Sequence, residues 1–307
     1  MKHTFVLVSV LVSLSGFIAA QNSQQPDSLF GPARSVADVK DIRVPDAEPG
    51  RSAAEMNNQA VRLFRQKESN KAVELFRYAI TKDPKLVPAY HNLAKSLVFL
   101  DRNEEAALVY RELTQLEPDV PGNYNEMGIS LYSTGKLTES TVAFAEAARL
   151  EPQNVGYLCN LGTSLIGMKE YEKATENFEK AVKLQPANAR ALNNLGVGLY
   201  LEKRFSDAET YLNRSLLLEP NSAGTNFNLG VLFAATGKHK KAYEHFEKAV
   251  ELRPNWPIAQ YSLALVALKI GKRDEAFDHF EALKAIDPAL AEKVRTAMTS
   301  SFVVKAN

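Results

Sequence analysis

The sequence predicts an all-α solenoid of tandem helix pairs, and three periodic features predict it. Pro84, Pro118, Pro152, Pro186, Pro220, Pro254 and Pro288 fall at equal intervals of 34 residues, and they are half of the chain's 14 prolines. With each proline at position 32, seven repeats result: 53–86, 87–120, 121–154, 155–188, 189–222, 223–256 and 257–290. Small residues then recur at position 8 (Gly128, Gly162, Gly196, Gly230; Ala60, Ala94, Ala264) and at position 20, where Ser140 alone replaces alanine. Position 24 is aromatic in every repeat except at Leu212. Small residues at positions 8 and 20 let two antiparallel helices approach closely, and the ring at 24 fills the space beside that contact. Proline near position 32 ends the second helix, because it lacks an N–H and clashes with the preceding turn.

The remaining segments follow in chain order. Residues 1–20 read as an export signal: a polar start at Lys2 and His3, an apolar run from Phe5 to Ile18, and small residues at Ala19-Ala20 before Gln21. An uncleaved membrane anchor is the alternative, although the run is shorter than the about 20 apolar residues a spanning helix needs. No cysteine follows the run, so a lipoprotein is excluded. Residues 21–52 hold Pro26, Pro32, Pro45, Pro49, Gly31 and Gly50 without a sustained apolar period, as in a spacer, with short apolar clusters at Leu29-Phe30 and Val36–Val44. Within the repeats, Gly135, Gly237 and Gly271 at position 15 suit a left-handed helix end, and Pro121 and Pro257 stand where a first helix can begin. After the seventh repeat, Leu290, Val294 and Ala297-Met298 share one side of a helix over Ala291–Thr299 that should cap the array, within a tail of residues 291–307.

These residues strongly resemble the tetratricopeptide-repeat family over residues 53–290, since 34 residues is that family's period. The resemblance implies a right-handed superhelix whose concave face, lined by first helices, binds peptides or partner domains. In the family, position 6 of the first helix points into that groove. Here it holds Asn58, Asn92, Glu126, Asn160, Asn194, Asn228 and Ser262. The five asparagines are similar to the ladder in the repeat domain of O-linked N-acetylglucosamine transferase. A primary amide offers one acceptor and two donors, matching both polar groups of a peptide backbone. Solvated polar residues of purely structural origin are the competing reading. Neighbouring groove positions supply Tyr132 and Tyr200, with Val61, Phe64, Val98 and Ile129, and the few charges include Lys95 and Arg190. The expected peptide-binding set is therefore Asn58, Asn92, Asn160, Asn194, Asn228, Arg190, Lys95, Tyr132 and Tyr200, with the asparagines facing solvent. No three consecutive repeats supply the Lys/Asn/Arg clamp that some family members use on an acidic chaperone tail.

Composition bounds the alternatives. The formal net charge is +1, and loss of Lys2 with the signal leaves 36 basic and 36 acidic side chains. Such a chain has no general electrostatic pull on nucleic acid or anionic lipid. The single Cys159 excludes an internal disulfide and a multi-cysteine zinc site, and it is expected to be buried. No phosphate loop, GxSxG or HExxH motif occurs, so neither catalysis nor a cofactor or metal is expected. His245 and His279 share position 23 of adjacent repeats without carboxylate or cysteine ligands at coordinating spacing. The expected function is an exported, secreted or periplasmic adaptor that grips an extended segment of a partner protein. A structural subunit docked by its convex face and a regulatory subunit of an enzyme on another chain remain as alternatives.

Overall fold

The computed structural model describes residues 50–303. The signal and most of the spacer, residues 1–49, lie outside the described residues, as do residues 304–307. First helices are α1 (Ala53–Arg65), α3 (Val87–Phe99), α5 (Pro121–Ser133), α7 (Val155–Gly167), α9 (Ala189–Leu201), α11 (Ala223–Ala235) and α13 (Pro257–Ile270). Second helices are α2 (Ser69–Lys82), α4 (Asn103–Leu116), α6 (Leu137–Leu150), α8 (Tyr171–Leu184), α10 (Phe205–Leu218), α12 (His239–Leu252) and α14 (Arg273–Ile286), and α15 (Pro288–Val303) follows. Both helix series restart every 34 residues. The described residues group into two compact units, 50–170 and 171–303.

Close helix approach explains the small residues. A Cβ on Gly128 would lie 2.7 Å from the Phe144 ring, one on Gly230 2.6 Å from Phe246, and one on Gly196 2.6 Å from Leu212 Cγ. Leu212 thus takes the place of the aromatic ring in its repeat. Ser140, the exception to alanine, is fully buried and donates its hydroxyl to the Gly128 carbonyl at 2.9 Å. The substitution therefore leaves no polar atom unsatisfied.

The interhelical turns reveal more than the glycines indicated. Every position 15 is left-handed: Gly135, Gly237 and Gly271, but also Lys67, Asp101, Lys169 and Lys203 at φ between 57° and 66°. The N–H of position 16 reaches back to the carbonyl of position 11 in each repeat, as from Arg204 to Leu199 at 2.9 Å. That six-to-one bond is the Schellman closure, which satisfies carbonyls the helix end leaves unpaired.

First-helix starts divide into two chemical types. Ser52, Asn154, Asn188 and Ser222 accept a bond from the first-turn backbone, and Ser52 and Glu55 form a capping box. Leu86, Val120 and Trp256 occupy the same position without a side-chain cap, and those helices carry Pro88, Pro121 or Pro257 in the first two residues. Proline lacks the N–H that would otherwise need a cap.

The terminal helix begins earlier than the periodic pattern suggested. α15 starts at Pro288 rather than Ala291, because proline suits a first helical position and the Asp287 carboxylate accepts from the Leu290 N–H at 3.0 Å. Ala291 and Val294 are buried with Tyr261, Ala264 and Leu283, and Leu290 and Met298 pack at the margin.

Candidate peptide-binding face

First helices lie beside one another, α1 against α3 and α5 against α7 in one unit, and α9 against α11 in the other. Residues three, four and seven apart share a helix face. Positions 6, 9 and 13 therefore present one continuous strip on each first helix.

Three of the five ladder asparagines bridge repeats. Asn92 Nδ2 donates to Asn57 Oδ1 at 2.9 Å, Asn160 to Asn125 at 2.8 Å and Asn228 to Asn193 at 2.9 Å. The acceptors all stand at position 5 of the preceding repeat, and Asn57 and Asn125 are buried. These amides are thus not simply solvated, as the sequence led us to expect. Each one uses a donor to join neighbouring first helices and keeps its oxygen and second hydrogen. Asn58 belongs to the first repeat and is exposed, while Asn194 is half-buried and follows a repeat whose position 5 is Cys159. A thiol is a poor acceptor, so the amide pairing is not reproduced there by residue type. Cys159 is 1% exposed.

The aromatic members separate. Tyr200 is 6% exposed and stacks on Phe205 with ring centroids 5.7 Å apart, and burial pushes its hydroxyl pKa up to about 12. Its ring belongs to the interior of its unit and not to the open face. Tyr132 is half-buried, with its hydroxyl likewise shifted upward by burial. Lys95 and Arg190 are both exposed.

The residue the sequence reading missed is Phe99. It is 71% exposed at the end of α3, beside Val98 and Ile129 at 39% each. Phe64 meets it edge to face at 5.2 Å. The signal was present: Phe99 lies seven residues after Asn92 and therefore on the same helical face. In residues 171–303, by contrast, Val231 and Ala234 at the equivalent positions are buried. The exposed apolar strip thus lies in the first unit.

His245 and His279 form a repeated structural motif. The Asn226 amide donates to the Ser222 carbonyl and that of Gln260 to the Pro254 carbonyl, which turns each amide oxygen toward a histidine Nδ1, at 3.1 and 2.7 Å. Burial is the main cause that lowers both histidine pKa values. Among the described residues, no three His, Cys, Asp or Glu side chains group as metal ligands would.

An all-α array of helix pairs with a polar and apolar strip along its first helices defines a class of protein that acts through surface contact. Tetratricopeptide repeat family models match residues 87–120, 159–224 and 225–255. The chain belongs to the tetratricopeptide-repeat family, and its fold is that family's solenoid. A tetratricopeptide-repeat protein from Parabacteroides merdae superposes with a TM-score of 0.70 at 15% identity, over 81% of this chain and 100% of that one. The Cut9–Hcn1 hetero-tetramer of APC/C gives 0.62 at 19% identity, over 78% of this chain and 48% of that one. The pilF protein of Pseudomonas aeruginosa gives 0.57 at 19%, over 69% and 97%. At these identities the likeness is one of fold. No curated protein matches the sequence. The fold is consistent with a protein-binding scaffold. Among the described residues, no helix is long and apolar enough to cross a membrane.

Proposed function

We propose that this chain is an exported, non-catalytic scaffold that holds an extended peptide segment of a partner protein on its first-helix face, chiefly in residues 50–170. The observation that carries the reading is the exposure of Phe99, Val98 and Ile129 beside bridging amides. Solvent-exposed apolar side chains in contiguous array mark interaction sites, and free amide valences next to them suit a ligand backbone. Export rests on residues 1–20 and places the partner in the envelope or outside the cell.

Affinity capture from the native exported fraction, followed by mass spectrometry, tests the reading. Phe99→Asp should abolish retention of the partner while leaving the melting temperature unchanged, since the side chain is mostly in solvent. Full retention by Phe99→Asp would overturn it. A second reading is favoured by Leu217, 80% exposed on α10 with Leu218 next to it: docking of the second-helix side into a larger assembly. Loss of retention in Leu217→Asp but not in Phe99→Asp would select it. Cleavage after Ala20 would give an intact mass beginning at Gln21, and a species keeping residues 1–20 would favour an anchored protein.

A further inference from the structure

We propose that residues 36–44 of this same chain occupy the apolar strip of Phe64, Val98, Phe99 and Ile129 when no partner is bound, so that the protein carries its own competitor. The inference rests on the reading of that strip as the binding face. Three observations converge on it.

The first is reach. Backbone leading out of residues 1–49 enters the first unit at Gly50 and Arg51, where Arg51 is held by Gln59 at 2.7 Å and its carbonyl accepts from Lys82 at 3.1 Å. Residues 45–50 therefore form the only tether, and six residues span up to about 20 Å. A 13-residue helix such as α1 is about 20 Å long, and its neighbour stands about 8–10 Å away. Phe64 and Phe99 sit at the C-terminal ends of α1 and α3, within that tether's range plus the length of the segment itself.

The second is chemistry. Val36, Val39 and Ile42 recur every third residue, with Val44 beyond them, and Asp38 and Asp41 lie between. The strip offers apolar side chains flanked by Arg65 and Lys95, both exposed. Apolar surface would meet apolar surface, and two carboxylates would meet two cations.

The third is location. The exposed strip lies in the unit to which the segment is tethered, while the equivalent positions Val231 and Ala234 in residues 171–303 are buried. Effective concentrations on short tethers are about millimolar. A segment with only about millimolar affinity in trans would then cover the strip roughly half the time. A stronger partner would displace it with a loss of about twofold or more in apparent affinity.

The experiment places a photo-crosslinking benzoylphenylalanine at Val39, and separately at Ala37, in the full chain without partner. The expected result is a monomeric cross-linked product whose peptides join residues 36–44 to α3 or α5, lost in Phe99→Asp and reduced by a synthetic peptide of residues 34–46. Circular dichroism melts check that Phe99→Asp keeps its fold. Cross-links that join two molecules, established by mixing isotopically light and heavy protein, would overturn the proposal in favour of a second copy. Cross-links to any other surface, or none, would overturn it outright. Because no partner is present, this outcome is separate from that of the capture experiment. Partner retention that depends on Phe99 with no such cross-link removes only the self-docking, whereas retention indifferent to Phe99 removes the binding face itself.

Discussion

Gly196 and Lys203 stand seven residues apart and obey opposite steric rules. At Gly196 an added side chain has nowhere to go, with Leu212 Cγ 2.6 Å and the Ala208 carbonyl 3.3 Å from the ideal Cβ. Gly196→Leu should therefore cost about 1–3 kcal/mol through overpacking, read from chemical denaturation. At Lys203 the constraint is the backbone, since φ is 65° and a β-carbon is disfavoured there. Lys203→Gly should relieve about 1–2 kcal/mol of strain and return part of it as unfolded-chain entropy, for a net gain of about 0.5–1 kcal/mol. A melting temperature that fails to rise would mean that the Lys203 side chain makes compensating contacts.

The first helices are coupled in pairs by their amides. Asn92, Asn160 and Asn228 each hold the helix of the preceding repeat, whereas Asn58 has no preceding repeat and Asn194 follows Cys159 at the partner position. Alanine at 92, 160 or 228 should cost about 0.5–1.5 kcal/mol apiece. Alanine at 58 should be close to neutral, because that side chain is exposed and alanine is the better helix former. Urea titrations of the single variants check this division. Equal losses at all positions would mean that pairing across repeats contributes nothing. Second helices carry their own rungs: Arg77 pairs with Glu105 of the next repeat, and Arg111 with Glu139 at 3.3 Å.

At the scale of the whole molecule, each unit behaves as a linear array in which neighbouring helix pairs supply one another's core. Its pH response comes from His245 and His279. Burial lowers both pKa values below the ordinary 6.5, so the folded chain binds fewer protons than the unfolded chain just below that pH. Stability then rises with pH across this window. It is fully present above about pH 7 and declines as pH falls through 6.5 toward the depressed folded values. Melting temperatures at pH 7.5 and 5.5 should differ, and the double variant His245→Gln, His279→Gln should narrow the difference. An unchanged difference would place the acid response on other groups.

The sequence by itself determined the family, the number and placement of the helix pairs, and the steric logic of positions 8, 20 and 24, because those features repeat and repetition reveals a local rule. It also placed the capping helix, though Pro288 was read as a terminator when Asp287 and the missing N–H make it a starter. Left-handed turns were legible only where glycine marked them, since Lys67, Asp101, Lys169 and Lys203 adopt the same φ without any residue preference that announces it. The character of the groove was decided by tertiary structure alone. Whether Asn160 meets Asn125, whether Tyr200 is exposed or packed on Phe205, and whether Phe99 is covered all depend on which neighbour each side chain faces across a repeat junction. Helical spacing fixes the face a residue occupies, but burial depends on the helix packed against that face, and a 34-residue period does not encode it.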